Sequence, residues 1–400
     1  WQRHALVNAC ALVIDADVCG EPAERAALAR LADRVTTPLV VLTRNATRVG
    51  RQATLAIEVA KPSRDEQRAL WRRVLGDEAA ASLDGTLDAM LAQFDLDGHA
   101  IETAAAQASV APGANLGQRL WHSCRRGART ELDDVAQRIE STAAPDDLVL
   151  PAPQRATLGD ISVHVRNRVR VYDDWRMGGP SARGLGISAL FAGPSGTGKT
   201  LAAEVIAHQL ELDLYRIDLS QVVSKYIGET ERNLRRVFDA ADEGGAVLLF
   251  DEADALFGKR SEVRDSHDRY ANVEISYLLQ RMESYRGLAI LTTNMRTAID
   301  PAFMRRLRFV VTFPFPDLER REAIWRRAFP AAAPIGGLDY GKLARLTVSG
   351  GNIRNIALYA AFLAADRGEP IGMAHLLRAA RVECAKLERT PAETELGGWV

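Results

Sequence analysis

Three short stretches of this chain set phosphate-handling residue types immediately after apolar runs. The first is Gly193, Pro194, Ser195, Gly196, Thr197, Gly198, Lys199 and Thr200, followed by Leu201. It matches G-x-x-x-x-G-K-[ST] between a strand-like run and a helical pattern, the context that marks a P-loop. Glycines let backbone N–H groups turn inward around phosphate oxygens, and the positive end of the following helix adds to the attraction. Lys199 then reaches the β- and γ-phosphates of a nucleotide, and the Thr200 hydroxyl suits a Mg2+ shell. A flexible turn that merely contains glycines would not need the strand before it and the helix after it. The second stretch is Val247–Glu252 (VLLFDE). Asp251 at a strand's end can hold the metal shell, and Glu252 is placed to polarise an attacking water as a general base. Alone, an Asp-Glu pair after a strand often just caps a helix; downstream of a P-loop it carries weight. The third is Thr292-Thr293-Asn294. Its amide can bond a water or the γ-phosphate without adding charge that competes for the metal, though an Asn that simply makes a turn reads equally well.

These stretches must be held by a sheet. Leu185–Ala192, Ala246–Phe250, Gly287–Thr292 and Phe309–Phe313 are short apolar runs without alternation, and helical patterns such as Thr200–Leu210 and Glu229–Ala241 separate them. That predicts an α/β fold with a parallel sheet covered on both faces, whose ligands sit at the carboxyl ends of the strands. A further strand is expected over Asp213–Ile217. From Ile335 to Glu388 the pattern is helical, broken at Gly350–Gly351 and around Gly368–Pro370, which suits a small helical domain. Ser141–Pro153 (STAAPDDLVLPAP) has little periodicity and reads as a linker.

Together these motifs resemble the ATPase module of AAA ATPases within the AAA+ superfamily, over residues 185–330. Walker A (Gly193–Thr200), Walker B (Leu248–Glu252), sensor 1 (Asn294) and a second region of homology (Asp300–Arg308) occur in the family's order. The resemblance implies ATP and Mg2+ as cofactors and a three-layer αβα core with a C-terminal helical lid. It places Arg305 and Arg308 where the family has arginine fingers, which act on the neighbouring subunit's nucleotide; a solvated basic strip is the plainer reading. Arg354, in Ser349–Asn355 (SGGNIRN), resembles the sensor 2 arginine of relatives that keep one, or else forms a surface ion pair. Lys225, Tyr226 and Ile227, followed by Gly228-Glu229, match the pore-loop pattern that grips a polypeptide in a ring's channel; a core tyrosine is the alternative. The charged stretch Gly258–Tyr270 lies where a second pore loop would fall and serves equally as a solvated loop. Wording around Leu210–Phe238 and Phe257–Tyr270 is similar to ATPases that accompany bacterial contractile injection systems.

An earlier part of the chain echoes the later one. Ala11–Asp15 resembles Val247–Asp251, Val40–Asn45 resembles Ala289–Asn294, and Glu58–Arg73 resembles Thr312–Arg327, with Pro62 against Pro316 and Trp71 against Trp325. Leu91–Ile101 echoes Leu343–Ile353. Several matches in one order favour a duplication, against coincidence among ordinary α/β segments. Asp15 is followed by Ala16 instead of Glu, so this half is expected to be degenerate, structural or regulatory. The organisation expected is a half-domain with lid at 1–135, a linker at 136–157, the large ATPase domain at 158–333 and a lid at 334–400.

Composition bounds the partners. Four hundred residues at about 150 per domain suggest two or three domains. Lys plus Arg (51) nearly cancels Asp plus Glu (52), which argues against nucleic acid held by bulk positive charge. No apolar run approaches the roughly 18 residues of a membrane span. Cys10, Cys19, Cys124 and Cys384 are scattered, so neither a zinc site nor a disulfide framework is indicated, and a reducing cytoplasm fits. The chain opens with Trp1 and without a signal pattern, and reads as a fragment. The function expected is ATP-driven remodelling or unfolding of a protein client by a homo-hexameric ring, possible service to a contractile injection system included. Two rival classes stay open: a DNA-directed helicase or clamp loader, and a nucleotide-gated scaffold that barely hydrolyses ATP.

Overall fold

The computed structural model describes residues 2–16, 22–43, 55–83, 85–110, 115–127, 129–133, 135–178, 185–219, 229–254, 266–294 and 301–399. Its contacts divide the chain into two units, Trp1–Ala60 and Lys61–Val400. The first unit holds α1 (Gln2–Asn8), β1 (Leu12–Asp15), α2 (Pro22–Arg34) and β2 (Leu39–Leu42). β1 and β2 pair in parallel, from Leu12 opposite Leu39 to Asp15 opposite Leu42, and each strand half-buries alternate residues.

The second unit opens with helices α3 (Arg64–Leu75), α4 (Asp77–Ser82), α5 (Thr86–Gln93), α6 (Gly98–Val110) and α7 (Leu116–Gly127). They close around Trp71, Met90, Ile101 and Leu120. Ser63 starts α3 with a capping box: its hydroxyl accepts from the Glu66 N–H, and the Glu66 carboxylate accepts from the Ser63 N–H at 2.7 Å. A short helix α8 (Arg129–Leu132), strand β3 (Gln137–Ile139) and helix α9 (Ala152–Val169) lead into the sheet core. The core continues with β4 (Ile187–Ala192), α10 (Lys199–Leu210), β5 (Leu214–Asp218), α11 (Glu229–Gly244), β6 (Val247–Asp251), α12 (Ser266–Ser284), β7 (Leu288–Thr293), α13 (Pro301–Met304) and β8 (Phe309–Thr312). Then come α14 (Leu318–Arg327), α15 (Tyr340–Leu343), α16 (Gly350–Arg367), α17 (Met373–Lys386) and α18 (Glu393–Leu396), packed around Trp325, Ile353, Ile356 and Leu376.

The six-stranded sheet runs β3-β5-β6-β7-β4-β8, parallel throughout except for the antiparallel edge strand β3. Its apolar runs do not alternate because both faces are covered. Leu190, Leu248, Phe250 and Leu291 point into a core shared with α11 and α12, while Phe191, Leu249 and Ile290 point into one shared with α9 and α10. The result is three layers, as the α/β reading predicts. Part of the stretch expected as a linker is built in: Gln137–Ile139 pairs with β5, and α9 begins at Ala152. Three residues held by backbone hydrogen bonds carry no side-chain period to read. Gly350 and Gly351, expected as a break, are the first residues of α16, whose N-cap Ser349 bonds the Asn352 N–H.

The first helical group rests on the amino edge of the sheet. Trp121 Nε1 and an Arg125 N–H both donate to the Glu211 carbonyl at 3.1 Å, and Arg129 grips Asp213 with two bonds of 2.8 and 2.9 Å. These residues lead into β5. Gln93 donates to the carbonyl of Gly245, just before β6, at 2.5 Å. Gly245 sits at φ +56°, and a Cβ there would lie 2.4 Å from the Gln93 amide, so only glycine fits.

The echoes seen in sequence have structural counterparts. Ser63 and Asp317 each cap their helix by accepting an N–H three residues on. Gln67 donates to the Pro62 carbonyl at 3.0 Å, and Arg321 to that of Pro316 at 2.8 Å. Trp71 and Trp325 are both buried, and Ile101, Ala104, Ala105 and Ala108 face inward as Ile353, Ile356, Ala357 and Ala360 do. β1 and β2, like β6 and β7, are parallel neighbours. Among the described residues no helix is long and apolar enough to cross a membrane.

Candidate functional site

The carboxyl ends of β4, β6 and β7 lie side by side, and the three predicted stretches meet there. The loop after β4 winds from Gly193 to Gly198, and Lys199 is the first residue of α10. Its ammonium folds back over the loop, donating to the carbonyls of Gly193 (2.7 Å) and Pro194 (3.1 Å) and to the Asn294 Oδ1 (2.9 Å). Burial pulls the Lys199 pKa below its ordinary value, and the nearby carboxylates of Asp251 and Asp254 resist that shift. The cation is thus bonded to three oxygens in a half-dry site, the setting in which phosphate oxygens compete well. Gly196 adopts φ +75°, and a Cβ on it would lie 2.5 Å from the Ser349 hydroxyl, so the loop passes tight against the N-cap of α16.

Asp251 ends β6. Its carboxylate receives the Thr292 hydroxyl and pairs with Arg216 of β5 at 2.8 Å. Glu252, the next residue, is exposed and left-handed at φ +57°, a conformation costing a non-glycine residue on the order of 1 kcal/mol. Its N–H donates to Asp251 at 3.2 Å. The turn swings the chain off the strand and leaves the glutamate at the mouth of the site. Asn294 follows β7: its N–H donates to Asp254 at 2.9 Å, and the Thr293 hydroxyl binds the same carboxylate. Asp254 therefore aims the amide that meets Lys199. Sequence reasoning passed over Asp254 and Arg216; the acidic residue three places beyond Asp251 was the available signal for the first.

Helix α16 reaches the same loop. The Gly351 N–H donates to the Gly196 carbonyl at 2.9 Å. Arg354 is close enough to Glu204 of α10 to oppose the rise in pKa that burial imposes on that carboxyl. The three arginines after α13 part ways. Arg306 turns inward to Glu283 at 2.5 Å, whereas Arg305 and Arg308 are exposed. The Arg308 N–H donates to the Ser188 carbonyl at 3.2 Å, so this arginine stands at the amino end of β4 and β8. From Ser188 to Gly193 is roughly 16 Å at about 3.3 Å of strand rise per residue. Lys225, Tyr226 and Ile227, and most of the Gly258–Tyr270 stretch, lie outside the described residues.

Residues 189–317 match the family model of ATPases associated with various cellular activities. The chain carries an AAA ATPase domain. Residues 63–130, which include α3 to α7, match the contractile injection system ATPase helical domain. Among curated proteins, an uncharacterized AAA family ATPase, y4kL, of Sinorhizobium fredii is 36% identical over 187 residues, 46% of this chain and 54% of the relative. The 26S proteasome regulatory subunit 10B homolog A of Arabidopsis thaliana is 33% identical over 184 residues, 44% of this chain and 46% of that one. The proteasome-activating nucleotidase of Pyrococcus furiosus is 35% identical over 184 residues, again 44% and 46%. The chain spans about half the length of the curated relatives it matches. The AAA match begins in β4 and ends at Asp317, so it encloses the phosphate loop, Asp251, Glu252, Asn294 and both exposed arginines.

Proposed function

We propose that this chain forms a ring, a homo-hexamer, that couples ATP hydrolysis to the remodelling of a protein client. One observation carries the reading: Arg305 and Arg308 are exposed, and Arg308 stands at the far end of β4 from its own phosphate loop. An arginine side chain does not span that distance, so its phosphate partner belongs to another subunit, and contacts that run head to tail close into rings. Gly193–Leu201 would hold the nucleotide, with Lys199 on the β- and γ-phosphates. Thr200 and Asp251 would hold Mg2+, for which Arg216 must release the Asp251 carboxylate. The ion supplies charge neutralisation on the phosphates. Glu252 polarises the attacking water, Asn294 orients it, Arg305 and Arg308 stabilise the charge that develops in the neighbour's site, and Arg354 reports on the lid.

Matching caps, buried tryptophans and helix faces support reading 1–135 as a degenerate ATPase half-domain with its own lid, ahead of the large domain at 158–333 and the lid at 334–400. The helical-domain match favours work on a contractile injection system, and the proteasome-linked relatives favour threading of a polypeptide past Lys225, Tyr226 and Ile227. Free thiols at Cys10, Cys124 and Cys384 suit the cytoplasm. The test uses a folded fluorescent protein with an unstructured tail as client. Tyr226→Ala should hydrolyse ATP at near the parent rate while client fluorescence persists, and Tyr226→Phe should unfold the client. Hydrolysis and unfolding lost together, with a large fall in Tm, would assign Tyr226 to the core instead.

A further inference from the structure

Helix α9 does not end as it began. Its last turn widens into a π-turn, Arg170–Asp174, with the Trp175 N–H bonded to the Arg170 carbonyl at 2.9 Å. Such turns are rare and cluster at functional sites. Two consecutive residues of this one make the contacts that matter. The Arg308 guanidinium lies over the Tyr172 ring, 5.5 Å from its centroid, and donates to the Tyr172 hydroxyl. Asp173 pairs with Arg64, the first residue of α3 in the first helical group. A continuous path therefore runs from that helical group through Arg64, Asp173 and Tyr172 to an arginine at the edge of the ATPase core.

We infer that Tyr172 is a positioning residue for Arg308, and that the first helical group steadies it through the Arg64–Asp173 pair. The inference rests on the proposed action of Arg308 on a neighbouring subunit's nucleotide. An exposed arginine samples many rotamers, and catalysis by a donor from another subunit depends on that donor being in place before charge develops. A stacked ring and a hydroxyl acceptor restrict those rotamers in the free subunit. The guanidinium carries five N–H donors, more than one phenol oxygen accepts, and Arg308 stays exposed. Tyr172 thus holds the arginine without hiding it. The helical group thereby acquires a role at the end of the sheet opposite the phosphate loop.

The experiment compares steady-state hydrolysis by full-length variants under conditions where gel filtration shows equal assembly. Tyr172→Ala should lower kcat about tenfold, and Tyr172→Phe, which keeps the ring, about threefold. The ATP Kd and KM should not change. Tyr172→Ala combined with Arg308→Ala should be no slower than Arg308→Ala alone. Arg64→Ala should lower kcat in the same direction by a smaller factor, with no further effect once Tyr172 is gone. If Arg308→Ala keeps the parent kcat, the trans-acting reading fails. If Arg308→Ala is slow while both Tyr172 variants match or exceed the parent, or the losses multiply, that reading stands and the positioning role falls. Should Tyr172→Ala melt early, the Tyr172→Phe step decides alone, because it removes one hydroxyl and leaves the packing.

Discussion

In the proposed site, Lys199, Glu252 and Asn294 divide the labour by chemistry that their surroundings favour. Lys199 is charged, buried and bonded only to oxygens, so its removal deletes the group that offsets the phosphates. Lys199→Ala should therefore abolish ATP binding in a fluorescent-nucleotide titration. Glu252 is exposed, and its backbone N–H donates to the Asp251 carboxylate. Glu252→Gln should bind ATP with the parent Kd and lose about 10²–10⁴-fold in kcat, the usual worth of a general base. Equal loss of affinity in both variants would overturn this division. The local motif made these residues readable, because loop, helix start and strand end are each defined within a few positions. Asp254, Arg216 and Tyr172 were not readable in that way. Their partners Asn294, Asp251 and Arg308 lie 40, 35 and 136 residues away, and no local pattern encodes a contact made by chain folding.

At the scale of elements, two helical groups are built alike and should fail differently. Trp71 and Trp325 are fully buried in α3 and α14, and either change to Ala should cost about 3–5 kcal/mol in its own group. Among the described residues the second group bonds or abuts the phosphate loop, through Gly351 and Ser349. Trp325→Ala should accordingly weaken ATP binding and Trp71→Ala should not, which calorimetry and a nucleotide titration on each variant will separate. The seam under the sheet carries a pH signature. Burial pushes the Asp242 carboxyl, near the end of α11, up to about 6, with Arg281 resisting. The folded chain then holds this proton when the unfolded chain, at an ordinary Asp value near 4, has lost it. That contribution is complete below about pH 4 and is lost as pH rises to 6. Asp242→Asn should raise Tm at pH 7 to 8 and change it little at pH 4. A larger gain at pH 4 than at pH 8 would contradict the assignment.

For the whole molecule, the proposed ring would share its chemistry between copies. Arg305→Ala subunits should bind ATP as the parent does and stay nearly inactive when assembled. Mixed with Glu252→Gln subunits, each supplies what its neighbour lacks, so part of the activity should return in a coupled phosphate-release assay. Full activity of Arg305→Ala alone would remove the trans-acting arginine. What the sequence by itself determined is the glycine-rich loop between β4 and α10, the strand ends that flank it and the three-layer class. Each of these is written in residue type and short spacing, where glycine freedom, apolar runs and charge act within a few residues of one another. Folding alone decided which of Arg305, Arg306 and Arg308 face outward, because Glu283, in the last turn of α12, captures Arg306. It also built β3 from three residues with no readable pattern and seated the first helical group on the amino ends of β5 and β6. Those outcomes depend on surfaces distant in sequence meeting at hydrogen-bonding distance, and only the packed chain brings such surfaces together.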